Sequence, residues 1–267
     1  MLGRKLTAPA ITAMKQDGEK IAVLTAYDHM TARIADSAGV DVILVGDSAA
    51  MVVLGYESTL PVTVAEMVML TAAVARAKTR ALVVGDLPFM SYQADVGDAV
   101  RAAGVFIKDG GAQAVKLEGG VRIADKLRAV VDAGIPVMGH IGLTPQSVHE
   151  FGGYRVQGKD EKAKESLLAD ARAVQEAGCF AVVLEAMPRE LGRQITEMLS
   201  IPTIGIGAGP DCDGQVLVVN DILEYTDGRP ARFVRSYADV GSVVEDAARR
   251  YVADVKSGSY PSDEECY

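Results

Sequence analysis

Eight short, nearly all-apolar runs recur along the chain, most of them followed by a longer stretch of helical character. The runs are IAVLTAYD (21–28), VDVILVGDS (40–48), ALVVGDLP (81–88), AVKLEGG (114–120), PVMGHIG (136–142), AVVLEAMP (181–188), PTIGIGAG (202–209) and ARFVRSY (231–237). Runs that stay apolar until their last residues are buried on both faces, which requires a parallel sheet covered by helices. The intervening segments VTVAEMVMLTAAVARAK, RIADKLRAVVDAG and KESLLADARAVQEAG carry helical patterning. Several segments end on a small step before the next strand, at Ala38–Gly39, Gly110–Gly111, Ala133–Gly134 and Ala177–Gly178. Glycine there supplies a left-handed helix C-cap. VGSVVEDAARRYVADVKSG reads as a closing helix, and a further helix near residues 9–17 is placed to plug a barrel base.

An open doubly wound sheet shares this alternation with a closed (β/α)8 barrel. Two features favour closure. No run looks like a polar edge strand, and polar residues cluster at the ends of many strands rather than at one switch point. A chain of 267 residues, 49% hydrophobic, suits one barrel. It contains no Pro/Gly/Ser linker, solenoid repeat or low-complexity tract. The expectation is therefore a single catalytic domain over 1–267, a TIM barrel with a short N-terminal helix and a mobile polar tail from about 258 to 267.

The formal charge of −9 argues against a nucleic-acid partner. No apolar run reaches membrane-spanning length, and the N-terminus lacks the apolar core of a signal peptide. Cys179, Cys212 and Cys266 are odd in number and widely spaced. That usage suits a reducing cytoplasm and supports neither a disulfide framework nor thiolate zinc.

Active sites of parallel barrels lie at the C-terminal ends of the strands. Taken in order, those ends present Asp47–Ser48, Asp86, Lys116 with Glu118, His140, Glu185, then Gly207 and Gly209. Asp47, Asp86 and Glu118 on neighbouring strands would repel one another in a desolvated cleft unless a cation compensated. An all-oxygen set favours Mg2+ over zinc; the simpler reading of Asp47–Ser48 alone is a helix cap. Lys116 and Glu118, two apart on a strand, face the same side. They either pair with each other or leave Lys116 to meet a substrate carboxylate or enolate oxygen. His140 is either a hydrogen-bonded structural histidine or a site residue. Glu185 is either a satisfied interior carboxylate or a general base. IGIGAGPDCDG (204–214) ends the seventh run, whereas a dinucleotide loop follows the first strand of its unit, so its glycines fit turns or close ligand approach better. The connection 143–160 exceeds the usual length and is either a lid or an ordered surface loop. Together these groups describe metal-assisted proton removal beside a carbonyl: a 2-oxo acid chelates Mg2+, and a carboxylate takes the adjacent C–H proton.

The segments LTAYD, VGDSAAMVVLGYESTLPVT, VVGDLPFMSY, VKLEGG, PVMGHIGLTPQS, GGYRVQGKD and IPTIGIGAGPDCDGQVLV resemble, in order from about residue 5 to 240, those of the ketopantoate hydroxymethyltransferase family. The resemblance implies a barrel of the phosphoenolpyruvate/pyruvate type. It implies transfer of a hydroxymethyl group from the co-substrate 5,10-methylenetetrahydrofolate to 3-methyl-2-oxobutanoate, forming ketopantoate for pantothenate and coenzyme A synthesis. By the same resemblance Asp47, Asp86 and Glu118 hold Mg2+, one per subunit. Asp47, Ser48, Asp86 and Lys116 contact the 2-oxo acid, with His140 in the same site motif, and Glu185 accepts the proton. Assembly as a cytoplasmic homodecamer of two pentameric rings is implied too. The chain departs from the family pattern at Leu70, Asn220 and Ala186–Met187, none of them a metal or substrate position. A lyase or mutase of the phosphoenolpyruvate/pyruvate type acting on another 2-oxo acid is the alternative.

Overall fold

The computed structural model describes residues 4–226, 228 and 230–267, which group into two compact units, 1–218 and 219–267. In the first unit eight parallel strands close on themselves in sequence order. They are β1 (Ile21–Thr25), β2 (Val42–Val45), β3 (Leu82–Asp86), β4 (Ala114–Glu118), β5 (Val137–Gly142), β6 (Ala181–Glu185), β7 (Thr203–Ile206) and β8 (Gly214–Leu217). Closure is made by β1 against β8, with Ile21 beside Gly214 and Val23 beside Val216.

Seven strands fall inside the expected runs; the eighth does not. ARFVRSY (231–237) forms no strand and precedes the C-terminal helix, while β8 is the four-residue GQVL. β8 opens on a glycine and exposes Gln215, so it lacks the continuous apolar run that marks the others.

Helices α1 (Ala8–Asp17), α2 (His29–Ser37), α3 (Ala49–Val52), α4 (Val64–Ala75), α5 (Val96–Lys108), α6 (Ala124–Asp132), α7 (Val148–Phe151), α8 (Glu161–Glu176) and α9 (Arg189–Met198) complete this unit. Asp28, Thr63, Asp95 and Asp160 cap α2, α4, α5 and α8 through their side chains, and Thr63 with Glu66 forms a reciprocal capping box. Gly39, Gly111, Gly134 and Gly178 take positive φ before the following strands. Gly85 in β3 matters differently: the Phe106 ring of α5 lies where a Cβ would stand, 2.4 Å away, so helix and strand meet only because the side chain is missing. Leu70, one of the departures, is buried in α4.

The interior of the barrel is filled by Val23, Val42, Leu44, Leu82, Val84, Met138, Val183, Ile204 and Val216. Ala8 and Ile11 of α1 join that cluster, and Ile11 is fully buried. The N-terminal helix thus stops the base. The predicted site residues lie at the opposite end, where the strands run out.

The second unit holds α10 (Val219–Ile222), α11 (Val240–Ser257) and a single tight turn at Asp263–Glu265. Asn220 donates to the Tyr225 carbonyl at 3.1 Å, a purely local bond. Among the described residues no helix is long and apolar enough to cross a membrane.

Candidate active site

Register places the predicted residues side by side. Asp86 pairs with Lys116 across β3 and β4, Glu118 with His140 across β4 and β5, and Gly142 with Glu185 across β5 and β6. Asp47 and Ser48 follow β2. Asp47, Asp86, Lys116, Glu118 and His140 are all buried; Ser48 and Glu185 are half-buried.

Lys116 Nζ donates to Asp86 Oδ1 at 2.7 Å and lies 3.6 Å from Glu118 Oε1. The lysine therefore bridges two carboxylates rather than pairing with Glu118 alone. The Asp47 N–H donates to Asp86 Oδ2 at 3.1 Å, which sets the two aspartates next to each other. His140 stands between Glu118 Oε1, 3.2 Å from Nδ1, and Glu185 Oε2, 3.1 Å from Nε2. Both contacts are within ion-pair distance but lack hydrogen-bond alignment: the two ring nitrogens and Glu118 Oε1 have no directed partner. Ser48 Oγ and the Tyr27 hydroxyl are 2.8 Å apart.

Three carboxylates thus face one lysine and one histidine. Burial, then the charges of Asp86 and Glu118, drives the Asp47 carboxyl well above its ordinary range. Burial also raises Asp86, with Glu118 adding to it against the pull of Lys116. Glu118 ends below its ordinary value because Lys116 and His140 outweigh its own burial. Lys116 is raised, burial being overcome by the three carboxylates. In His140 burial and Lys116 both oppose the imidazolium, yet Glu118 and Glu185 hold it up to about 9.

Two residues outside the strand ends complete the site. Gln146, in the short turn Pro145–Ser147, donates its side-chain amide to Asp47 Oδ2 at 3.0 Å and to the Leu87 carbonyl at 2.9 Å. Its backbone N–H donates to Glu118 Oε2 at 3.0 Å. Tyr92, fully buried, donates to Gln146 Oε1 at 2.7 Å and accepts from the Glu118 N–H at 3.0 Å. One glutamine therefore reaches two of the three acids, and one tyrosine steadies both it and Glu118. Neither occupies a strand end, so the regular positions of the strands do not reveal them, although the segments GDLPFMSY and LTPQS contain both. The first part of the connection 143–160, expected as a lid or an ordered surface loop, is thereby ordered and joined to the acids through Gln146.

The backbone beside Glu185 is constrained. Gly142 has φ +98°, and a Cβ there would stand 2.3 Å from the Glu185 carbonyl oxygen. Ala186 takes φ +46°, unusual for a residue with a side chain, and its amide groups bond to Ile206 and Gln157.

Among the described residues no three His, Cys, Asp or Glu side chains already close on one point as a metal cage. The donor chemistry nevertheless fits a hard divalent cation. The acids are all-oxygen, Asp47 and Asp86 are adjacent and pushed toward protonation by burial first and then by neighbouring carboxylates, and Glu118 Oε1 is buried without an aligned donor.

A family model described as ketopantoate hydroxymethyltransferase matches residues 5–263. The 3-methyl-2-oxobutanoate hydroxymethyltransferase of Geobacter metallireducens is 55% identical over 262 residues, 98% of each chain. That of Thermobifida fusca is 55% identical over 264 residues, 99% of this chain and 94% of the other. Among solved structures, 2,3-dimethylmalate lyase, a PEP mutase/isocitrate lyase superfamily member, superposes with TM-score 0.62 at 18% identity, covering 98% of this chain and 92% of that one. Phosphonopyruvate hydrolase, solved with oxalate and Mg++, gives 0.64 at 12%, covering 97% and 93%. At such identities the likeness is one of fold.

Proposed function

This chain belongs to the ketopantoate hydroxymethyltransferase family, and from that premise we propose that it transfers a hydroxymethyl group from 5,10-methylenetetrahydrofolate to 3-methyl-2-oxobutanoate, forming ketopantoate. The observation that carries the reading is the placement of a half-buried carboxylate, Glu185, beside His140 and next to a strand-end set of three buried acids and one buried lysine. Proton removal from carbon next to a keto group needs a base on one side and positive charge on the other.

Asp47 and Asp86 would hold Mg2+, with Glu118 completing the oxygen set. When bound, the ion supplies Lewis-acid polarisation of the 2-oxo group. Glu185 takes the C3 proton, and His140 behind it fixes the carboxylate. Lys116 keeps a permanent positive charge facing the substrate oxygens, since its three acidic neighbours favour the ammonium. Ser48 offers a hydroxyl to the substrate carboxylate. C3 then forms a bond to the one-carbon unit as that unit leaves the folate nitrogens. The unit has the oxidation level of formaldehyde, so water supplies the hydroxyl oxygen, tetrahydrofolate is released, and no oxidant is required.

The same reading takes the chain to act in the cytoplasm on small soluble substrates and to assemble as a homodecamer. The lyase or mutase alternative rests on a fold likeness alone and is not retained. Incubation with 3-methyl-2-oxobutanoate, methylenetetrahydrofolate and Mg2+, followed by mass spectrometry, yields ketopantoate; a folded protein that forms none refutes the reading.

A further inference from the structure

Beside the acids, over the ends of β4 and β5, opens a cavity of about 830 Å3. Its size lies within the range of about 300–1,000 Å3 typical of sites for small organic ligands. One wall carries Glu118 and Gly142, so the cavity is continuous with the strand-end site. Another is one face of α8, where residues 163, 166, 167 and 170 recur at helical spacing. Phe89 and Phe151 add aromatic surface.

Three carboxylates line this space, and two are spoken for. Glu118 belongs to the acid cluster. Glu150 is held by Arg122, whose Nη1 lies 2.8 Å from each of its oxygens. Asp170 differs. Its Oδ1 accepts the Val121 N–H at 2.8 Å, and among the described residues it forms no ion pair. It is drawn over the backbone at Gly120, where a Cβ would lie 2.2 Å from the Asp170 Cβ and Oδ1. The missing side chain at Gly120 is what lets this carboxylate reach the cavity wall. A partly desolvated carboxylate with spare lone pairs, at the edge of an aromatic-walled cavity, matches a flat heterocycle that offers two adjacent N–H donors.

We propose that this cavity seats the folate co-substrate and that Asp170 accepts hydrogen bonds from the 2-amino group and ring N–H of its pterin. The inference rests on the hydroxymethyltransferase reading. It orients the folate with its pyrimidine edge at α8 and its one-carbon unit toward Glu118 and Gly142, where the 2-oxo acid is held.

Isothermal titration with tetrahydrofolate, which carries no transferable carbon, tests the assignment without turnover. Asp170→Asn keeps an acceptor for Val121 but loses the charge, and its affinity falls about tenfold to hundredfold. A tetrahydrofolate analogue lacking the 2-amino group binds the parent more weakly, and the gap between parent and Asp170→Asn narrows on that analogue, since only the ring N–H is left to meet the carboxylate. Equal tetrahydrofolate affinity of parent and variant overturns the assignment, as does an equal loss for both ligands. Ketopantoate formation by the parent is measured alongside. If product forms while Asp170→Asn binds normally, the cavity assignment alone fails; if the parent forms no product, the functional reading fails with it.

Discussion

His140 Nε2 lies 3.1 Å from Oε2 of Glu185 across two adjacent strands, close enough to hold the carboxylate but not aligned as a directed hydrogen bond. Glu185 thus keeps its lone pairs for a substrate proton while its position is fixed from behind. Glu185→Gln retains the shape and removes the basicity. We expect exchange of the C3 proton of 3-methyl-2-oxobutanoate into D2O, followed by NMR, to slow by about 10²–10⁴-fold. Binding of the 2-oxo acid changes little. Exchange at the parent rate removes Glu185 from the role of base.

Gln146→Ala leaves Asp47 Oδ2 and the Tyr92 hydroxyl without their shared partner. Groups that orient metal-binding carboxylates typically contribute about 10–100-fold to metal affinity. Titration with Mg2+, read as a rise in melting temperature, should show a weakening of that order.

Asp47→Asn separates stability from function. A carboxyl raised on folding favours its protonated form, so ionised Asp47 works against the metal-free fold at neutral pH. In EDTA the variant melts above the parent at pH 8. The gap closes as pH falls from the raised folded value through the ordinary value of 3.8, below which both states of the parent are protonated. Added Mg2+ stabilises the parent by mass action and the variant hardly at all. A variant less stable than the metal-free parent at pH 8 contradicts this electrostatic account.

Lys116→Met removes the cation between Asp86 and Glu118 and strands two buried charges, a loss of about 3–5 kcal/mol by denaturant unfolding at neutral pH. The lysine is raised on folding, so its contribution is complete below its ordinary value of 10.5 and persists until pH climbs past the higher folded value. The carboxylates then set the pH dependence of the variant. Protonation relieves them, so the deficit shrinks as pH falls toward 4, is largest at neutral to mildly alkaline pH, and closes again once pH passes the lysine's raised folded value.

The fold was legible because seven strands carry uninterrupted apolar runs that end in polar residues. β8 escaped because closure asks little of it: four residues, a glycine at its start, and one exposed glutamine suffice when both neighbours supply the ladder. ARFVRSY has the β-branched and aromatic content of a strand but no partner to pair with. At the site, Asp47, Asp86, Lys116, Glu118, His140 and Glu185 were visible because strand ends are regular positions. Gln146 and Tyr92 come from irregular turns, where no periodicity says which way a side chain points. Their roles depend on distances across 99 and 26 residues of sequence.

The stopper formed by Ala8 and Ile11 has a kinetic consequence. With one end of the barrel sealed, molecules enter and leave through a single mouth. On the reading proposed above, the 2-oxo acid sits among the acids and the folate in the cavity over the neighbouring strand ends. On the proposed seating of the folate we expect ordered turnover, the small acid arriving first and tetrahydrofolate departing before ketopantoate, and initial-rate kinetics with inhibition by excess folate check it.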